Sequence, residues 1–360
     1  VVLAGSADVD EAGHWNFASG DALAPGKYTI EVTATSAPSE SGAALQATKS
    51  REFHVPIPNP PGGVGANLIS WVDMGKSAEL GTYDAGTGAV SVLQDLANAD
   101  IEWELVHGSH NADAVQNNLI NFHSATKPAN NDYVQFATKD NSWFDSGDAA
   151  REVFSVQISG DEDDSGFPWE LGGPAIDDNQ YNNAGIRTHF GTGQTRILDP
   201  DIDVEKAHVL HVFSSDAEWA LSLNGRLQKV LNGGDPHAKD FGPMDGVVGY
   251  QYLGAAHDSG FVNGRLAEVI VYNRLLTEVE RRQVASYLAF KYGITLDAGD
   301  YVASNGVTHM WTAGDNAGYG SRITGIGRDD AGGLHQRQSK SEESGANVTI
   351  ANGDAIAAVQ

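Results

Sequence analysis

The sequence predicts an all-β protein, a sandwich or jelly roll with one short helix late in the chain. Three observations carry this reading. Short apolar segments recur between residues 64 and 296, separated by loops rich in Asp, Asn and Gly, which is the pattern of many strands joined by turns. Asn224-Gly225 stands between Ala220-Leu221-Ser222-Leu223 and Arg226-Leu227-Gln228-Lys229-Val230. A two-residue type I′ hairpin needs positive φ at both central positions, and Asn-Gly supplies it. Finally, the apolar run Leu266 to Tyr272 leads straight into a segment with helical periodicity.

Taken in order, residues 1–57 read as strands. Trp15, Phe17, Tyr28, Ile30, Val32, Phe53 and Val55 alternate with polar residues, the period of a half-buried strand. Pro56 to Gly63 carries four prolines and two glycines, so residues 58–63 read as a linker. The main domain follows at 64–296. Its strand candidates are 68–72, 89–93, 133–137, 153–158, 185–190, 208–214, 218–223, 247–253 and 265–272. Thr277 and Glu280 have capping-box spacing. Val284, Tyr287, Leu288 and Lys291 repeat at helical spacing, and Gly293 closes the helix. Residues 297–360 form a further β-rich segment.

Composition narrows the function. The chain has 360 residues, 41% of them hydrophobic, enough for two or three domains with sizeable cores. Against 22 Lys and Arg stand 48 Asp and Glu, a net charge of −26. That balance argues against nucleic-acid binding and against charge-driven adhesion to an anionic membrane. It favours a setting rich in Ca²⁺, whose ligands are carboxylate oxygens. With no cysteine, disulfides, zinc thiolates and thiol nucleophiles are excluded. No signal peptide and no 18-residue apolar run appears, so direct membrane insertion is not expected. The chain opens mid-pattern on Val1-Val2-Leu3, as a piece of something longer would.

Leu266 to Thr277, continued through Tyr287-Leu288-Ala289-Phe290-Lys291-Tyr292-Gly293-Ile294-Thr295-Leu296, resembles the last strand and closing helix of concanavalin-A-like, laminin-G-like jelly rolls. The Asn224-Gly225 hairpin and Asn131-Asp132-Tyr133-Val134 resemble other parts of the same modules. Asp10 to Phe17 and Leu23 to Thr35 resemble the second half of a bacterial Ig-like repeat. Such repeats form the stalks of large adhesins of the RTX/Bap type. Asp300 to Thr308 and Ile323 to Ser341 resemble a β-rich segment that follows laminin-G-like modules in bacterial surface proteins. These resemblances imply a piece of an extracellular, cell-surface adhesin. They imply that its jelly roll binds a glycan or polysaccharide, with calcium, and is not an enzyme. A surface protein or peptide is the alternative partner, a spacer without a sugar site the alternative role, and polysaccharide cleavage the less favoured one.

The candidate sites lie in polar loops. Asp161-Glu162-Asp163-Asp164 packs carboxylates that repel unless solvated or bridged by a cation. Asp177-Asp178-Asn179-Gln180-Tyr181-Asn182 combines carboxylates, amides and a ring, the pairing a sugar's hydroxyls and apolar C–H face require. Asp132, at the loop-to-strand entry, is a further calcium candidate that the resemblance implies. Metal candidates are therefore Asp132, Asp161, Asp163, Asp164, Asp177 and Asp178. Sugar-contact candidates are Trp143, Trp169, Asn179, Tyr181 and Asn182, while Trp71 and Trp219 sit in core-like patterns. Catalytic signatures are missing. There is no Glu-x-Asp-x-x-Glu strand of the kind that cleaves glycosides on this fold, no His-Glu-x-x-His helix and no Gly-x-Ser-x-Gly elbow. His208 and His211 are three apart on a strand and point to opposite faces.

Overall fold

In the computed structural model the chain divides into two compact units, Val1–Ile57 and Pro58–Gln360. The structure describes residues 26–35, 46–55, 59–83, 89–107, 114–127, 133–138, 151–159, 166–171, 178–182, 185–188, 195–215, 217–232, 251–254, 263–297 and 299–352. In the first unit, Gly26–Thr35 pairs antiparallel with Gln46–Val55, in unbroken register from Gly26 opposite Val55 to Thr35 opposite Gln46. The alternation of Tyr28, Ile30 and Val32 predicts this strand. Trp15 and Phe17 fall outside the described residues.

The second unit is an antiparallel sandwich. The smaller sheet has six strands in the order Arg226–Asn232, Glu218–Leu223, His208–Ser214, Arg151–Ile158, Arg265–Tyr272 and Leu68–Asp73. The larger has nine, in the order Thr195–Leu198, Gly185–Thr188, Asp178–Asn182, Gly166–Glu170, Gln251–Leu253, Gln135–Thr138, Glu102–His107, Val90–Gln94 and Thr82–Tyr83. One buried cluster joins them, with Val72, Val153, Leu210 and Val269 from the smaller sheet and Leu93, Trp103, Phe136, Trp169 and Leu253 from the larger. Neighbouring strands are often far apart in sequence, as a jelly roll requires.

The strand Arg265–Tyr272 explains its own apolar run. Val269 and Val271 enter the inter-sheet core, whereas Glu268 reaches Tyr287 and Lys291 of the helix Glu278–Tyr292, which covers the opposite face. A strand covered on both faces loses the alternation of a half-exposed one. At the helix start, the Thr277 hydroxyl accepts from Glu280 N at 3.3 Å and the Glu280 carboxylate accepts from Thr277 N at 2.8 Å. Gly293 ends the helix at φ 63°. Asn224 and Gly225 take φ 49° and 76° between paired strands, the predicted hairpin.

The structure places three further stretches. Residues 178–182, read as a polar loop, form a strand inside the larger sheet, because pairing on both edges outweighs a composition that favours turns. Residues 61–63 are not linker: Pro61–Gly63 is a 3₁₀ turn against the closing helix, and Gln283 Nε2 donates to Gly62 O at 3.2 Å. Residues 297–352 belong to the same compact unit as the sandwich. Asn121 shows why. This buried residue donates from Nδ2 to Lys291 O at 2.9 Å, accepts at Oδ1 from Lys340 N at 2.7 Å, and donates its backbone N–H to Glu342 at 2.7 Å.

Two glycine substitutions separate turn strain from steric exclusion. At Gly225 a Cβ would meet nothing nearer than 3.8 Å, so Gly225→Ala should cost only the left-handed backbone penalty, about 1–2 kcal/mol. At Gly293 a Cβ would lie 2.1 Å from Lys340 O, so Gly293→Ala should cost clearly more. Urea denaturation of both variants checks the ranking.

Candidate functional site

The site is built around a buried ion cluster. Asp73 ends the edge strand Leu68–Asp73 and caps the short helix Met74–Glu79, its Oδ1 accepting from Gly75 N at 3.0 Å and Lys76 N at 3.3 Å. The ladder sets Glu268 directly opposite Asp73. Lys291, in the last turn of the closing helix, donates to Asp73 Oδ2 at 2.6 Å, Glu268 Oε2 at 2.5 Å and Tyr287 OH at 2.9 Å. Glu268 also accepts from Trp71 Nε1 at 2.7 Å, Tyr287 OH at 3.0 Å and Tyr292 OH at 2.8 Å. All these side chains are buried. Burial pushes the Asp73 carboxyl up, but Lys291 beside it holds it well below the usual carboxylate range. Burial likewise works against the Lys291 charge, and Asp73 and Glu268 more than offset it, keeping this ammonium protonated.

Above the cluster opens a cavity of about 290 Å³ walled by four separate segments: Asp73 to Glu79, Phe122 to Ser124, Lys291, and Gly333 to Gln336. Gln336 Nε2 donates to Gln338 O at 2.6 Å, which leaves its Oε1 facing His123 Nε2 at 2.9 Å. His123 Nε2 is therefore the donor and Nδ1 the acceptor. Burial and then the Lys291 charge push the His123 pKa down to about 4, so the ring is neutral. Phe122 takes φ 68°, and Asn121 before it φ 43°. A bulky side chain there is strained, and the bonds of Asn121 to Lys291, Lys340 and Glu342 hold the turn in place. Lys76 Nζ lies 5.2 Å from the centre of the Trp71 ring. Among the described residues it has no ion-pair partner, and burial lowers its pKa.

A second cleft, about 420 Å³, runs between Asp203, Arg226, Asp297 and Glu343. Its charges serve one another. Arg226 lies 3.3 Å from Asp201 and 3.7 Å from Asp297, Glu342 lies 3.1 Å from Lys340, and Glu343 accepts from Arg322 N at 2.9 Å. This cleft reads as a structural seam.

The residues singled out in the sequence fall differently. Asp132, Trp143, Asp161, Asp163, Asp164 and Asp177 lie outside the described residues. Trp169 is corrected: it is fully buried, with Nε1 donating to Ser155 Oγ at 3.1 Å across the core, so its ring is not available to a sugar. Asp178, Asn179, Tyr181 and Asn182 share one strand. Asn179 is opposite Trp169 and Thr188, and Tyr181 is opposite Ile186. The period of two puts positions 179 and 181 in the row of Trp169, and 178 and 182 in the other row. That second row crosses the larger sheet as Glu104, Ala137, Tyr252, Glu170 and Asp178. Among the described residues, no group of three or more His, Asp or Glu is placed to hold a metal. The cavity residues Asp73, Lys76, His123 and Gln336 carried no local motif. The one signal was charge out of place, a lysine at 291 on the apolar stripe of the helix and Glu268 within an apolar strand.

Residues 280–360 match a family described as a domain of unknown function (DUF8202). The match begins inside the closing helix and runs through the C-terminal segment, which agrees with their packing as one body. No curated protein matches the chain in sequence. Among solved structures, the botulinum neurotoxin serotype D binding domain is 10% identical with a TM-score of 0.41, over 62% of this chain and 51% of that one. Trypanosoma rangeli sialidase is 13% identical with a TM-score of 0.40, over 62% of this chain and 33% of that one. The chain thus spans about half the length of the toxin domain and a third of the sialidase. At these TM-scores the fold assignment rests on the sheets themselves.

Lys291→Met would leave Asp73 and Glu268 buried without their cation, at a cost of about 3–5 kcal/mol. Urea denaturation checks this, and a loss below about 1 kcal/mol would mean the cluster is solvated. The histidines predict a pH slope. His123 and His208 have pKa values lowered to about 4, mainly by burial, so below about pH 6.5 the unfolded chain takes up protons that the fold refuses. Their stabilisation is complete above that pH and is lost as pH falls toward 4. The melting temperature should drop across this window, and drop less in His208→Gln.

Proposed function

We propose that the chain is an extracellular ligand-binding module of a bacterial cell-surface adhesin, and that its sandwich unit grips a glycan residue without cleaving it. The observation that supports this best is the cavity over Lys291, where four distant segments converge on one polar hollow beside an aromatic ring. A sugar needs donors and acceptors around its hydroxyls and an apolar plate under its C–H face. Lys76 supplies donors, His123 Nδ1 an acceptor, and Phe122 the plate. The volume, about 290 Å³, lies near the lower end of small-molecule sites, roughly 300–1,000 Å³, which suits one ring of a longer chain. The backbone strain at Phe122 has a use in this reading, because it holds the ring in the wall.

Calcium belongs to the proposal through the sequence of Asp161, Asp163, Asp164, Asp177 and Asp132, whose carboxylates suit that ion. It would order the loops that carry them. A second reading, hydrolysis, is favoured by one observation: Glu170 and Asp178 stand opposite each other in the ladder.

One experiment separates these roles. The full chain is applied to a glycan array with calcium and with EDTA, and the bound glycans are then assayed for new reducing ends. Binding that EDTA weakens, without new reducing ends, is the expected result. Silence in both conditions removes the lectin reading, equal signals remove calcium, and reducing ends that vanish in Glu170→Gln establish the hydrolase. Phe122→Gly should weaken glycan binding at least tenfold without lowering the melting temperature, because it removes the ring and the strain together.

A further inference from the structure

We infer that the cavity over Lys291 selects a sugar residue carrying an anion, a uronate carboxylate or a sulfate ester, and that Lys76 receives it. This deepens the glycan reading and rests on it. The charges facing the cavity decide the class. Lys291 spends its three N–H donors on Asp73, Glu268 and Tyr287. Asp73 spends Oδ1 on Gly75 N and Lys76 N, and Oδ2 on Lys291. Both Glu268 oxygens are likewise filled. His123 is held neutral by burial and by the Lys291 charge. Glu79 stands exposed at the mouth, where water screens it.

What remains is Lys76. It is half-buried, its ammonium lies over the Trp71 ring, and among the described residues it makes no ion pair. Asp73, Glu268 and Glu79 act on it only at a distance, so a cation taken partly out of water without a direct ion pair gains from an arriving anion. A neutral hydroxyl would fill one donor position without cancelling the charge. A charge-assisted hydrogen bond is roughly twice as strong as a neutral one. The exposed imidazole of His335 lines the same hollow and adds a second donor.

The test is titration calorimetry of the full chain with three probes that share one ring: methyl glucuronide, glucose 6-sulfate and methyl glucoside. At least one anionic probe should bind tenfold or more tightly than the glucoside, and the two anionic arms tell carboxylate from sulfate. Lys76→Met should bring the anionic probes within twofold of the glucoside at an unchanged melting temperature, and Lys76→Arg should restore the preference. Equal affinity for all three probes, or a preference that survives Lys76→Met, overturns the inference and leaves the glycan reading standing. If none of the three binds and the array is silent as well, both fall.

Discussion

Lys291 carries a single positive charge into a layer that already holds two carboxylates, Asp73 and Glu268, and every element around the site is placed by that fact. Removing three charges from water is costly, and attraction repays it only where each remaining lone pair and N–H is bonded. The fold meets that demand from three elements. Trp71 and Asp73 come from the edge strand, Glu268 from its neighbour, and Tyr287, Lys291 and Tyr292 from the closing helix. Helix and sheet are thereby fixed in rotation and in register, which apolar packing alone does less sharply. Asp73, Glu268 and Glu79 favour the Lys76 charge while burial and Lys291 oppose it, and among the described residues Lys76 is ion-paired with none of them.

The C-terminal segment is held by the same economy of bonds. The helix ends at Gly293, where a carbonyl row would otherwise lack partners. The Asn121 amide takes the Lys291 carbonyl, and the Gly293 carbonyl accepts from Glu342 N at 2.9 Å. The Asn121-Phe122 turn, the helix end and residues 339–342 thus form one junction. Its geometry forces Asn121 and Phe122 into the left-handed region. Relieving that strain would release the bonds that seat the C-terminal segment, so the strain persists.

What the sequence shows and hides follows from the range of each interaction. The capping box, the Gly293 terminus and the Asn224-Gly225 turn are local, and all three are readable in a few residues. Strands that bury apolar rows, such as His208–Ser214 and Arg265–Tyr272, are readable with their full bounds. Asp178–Asn182 is not, because its residues favour turns and only its two neighbours make it a strand. Trp169 beside an acidic loop looks like a surface ring, yet its indole N–H crosses the core to Ser155. The cavity is hidden most completely. Asp73 and Lys291 meet across 218 positions, and His123 and Gln336 across 213, separations at which no motif has a fixed spacing.

The two candidate faces of the sandwich unit differ in how their charges are arranged. Glu170 and Asp178 stand opposite each other in one ladder, and Glu170 is buried. At the Lys291 cavity the cluster is closed on itself and offers no carboxylate to a reaction. Its unspent groups are an ammonium, a neutral imidazole nitrogen and a ring, with Glu79 and His335 exposed at the mouth. The cavity is thus suited to retention.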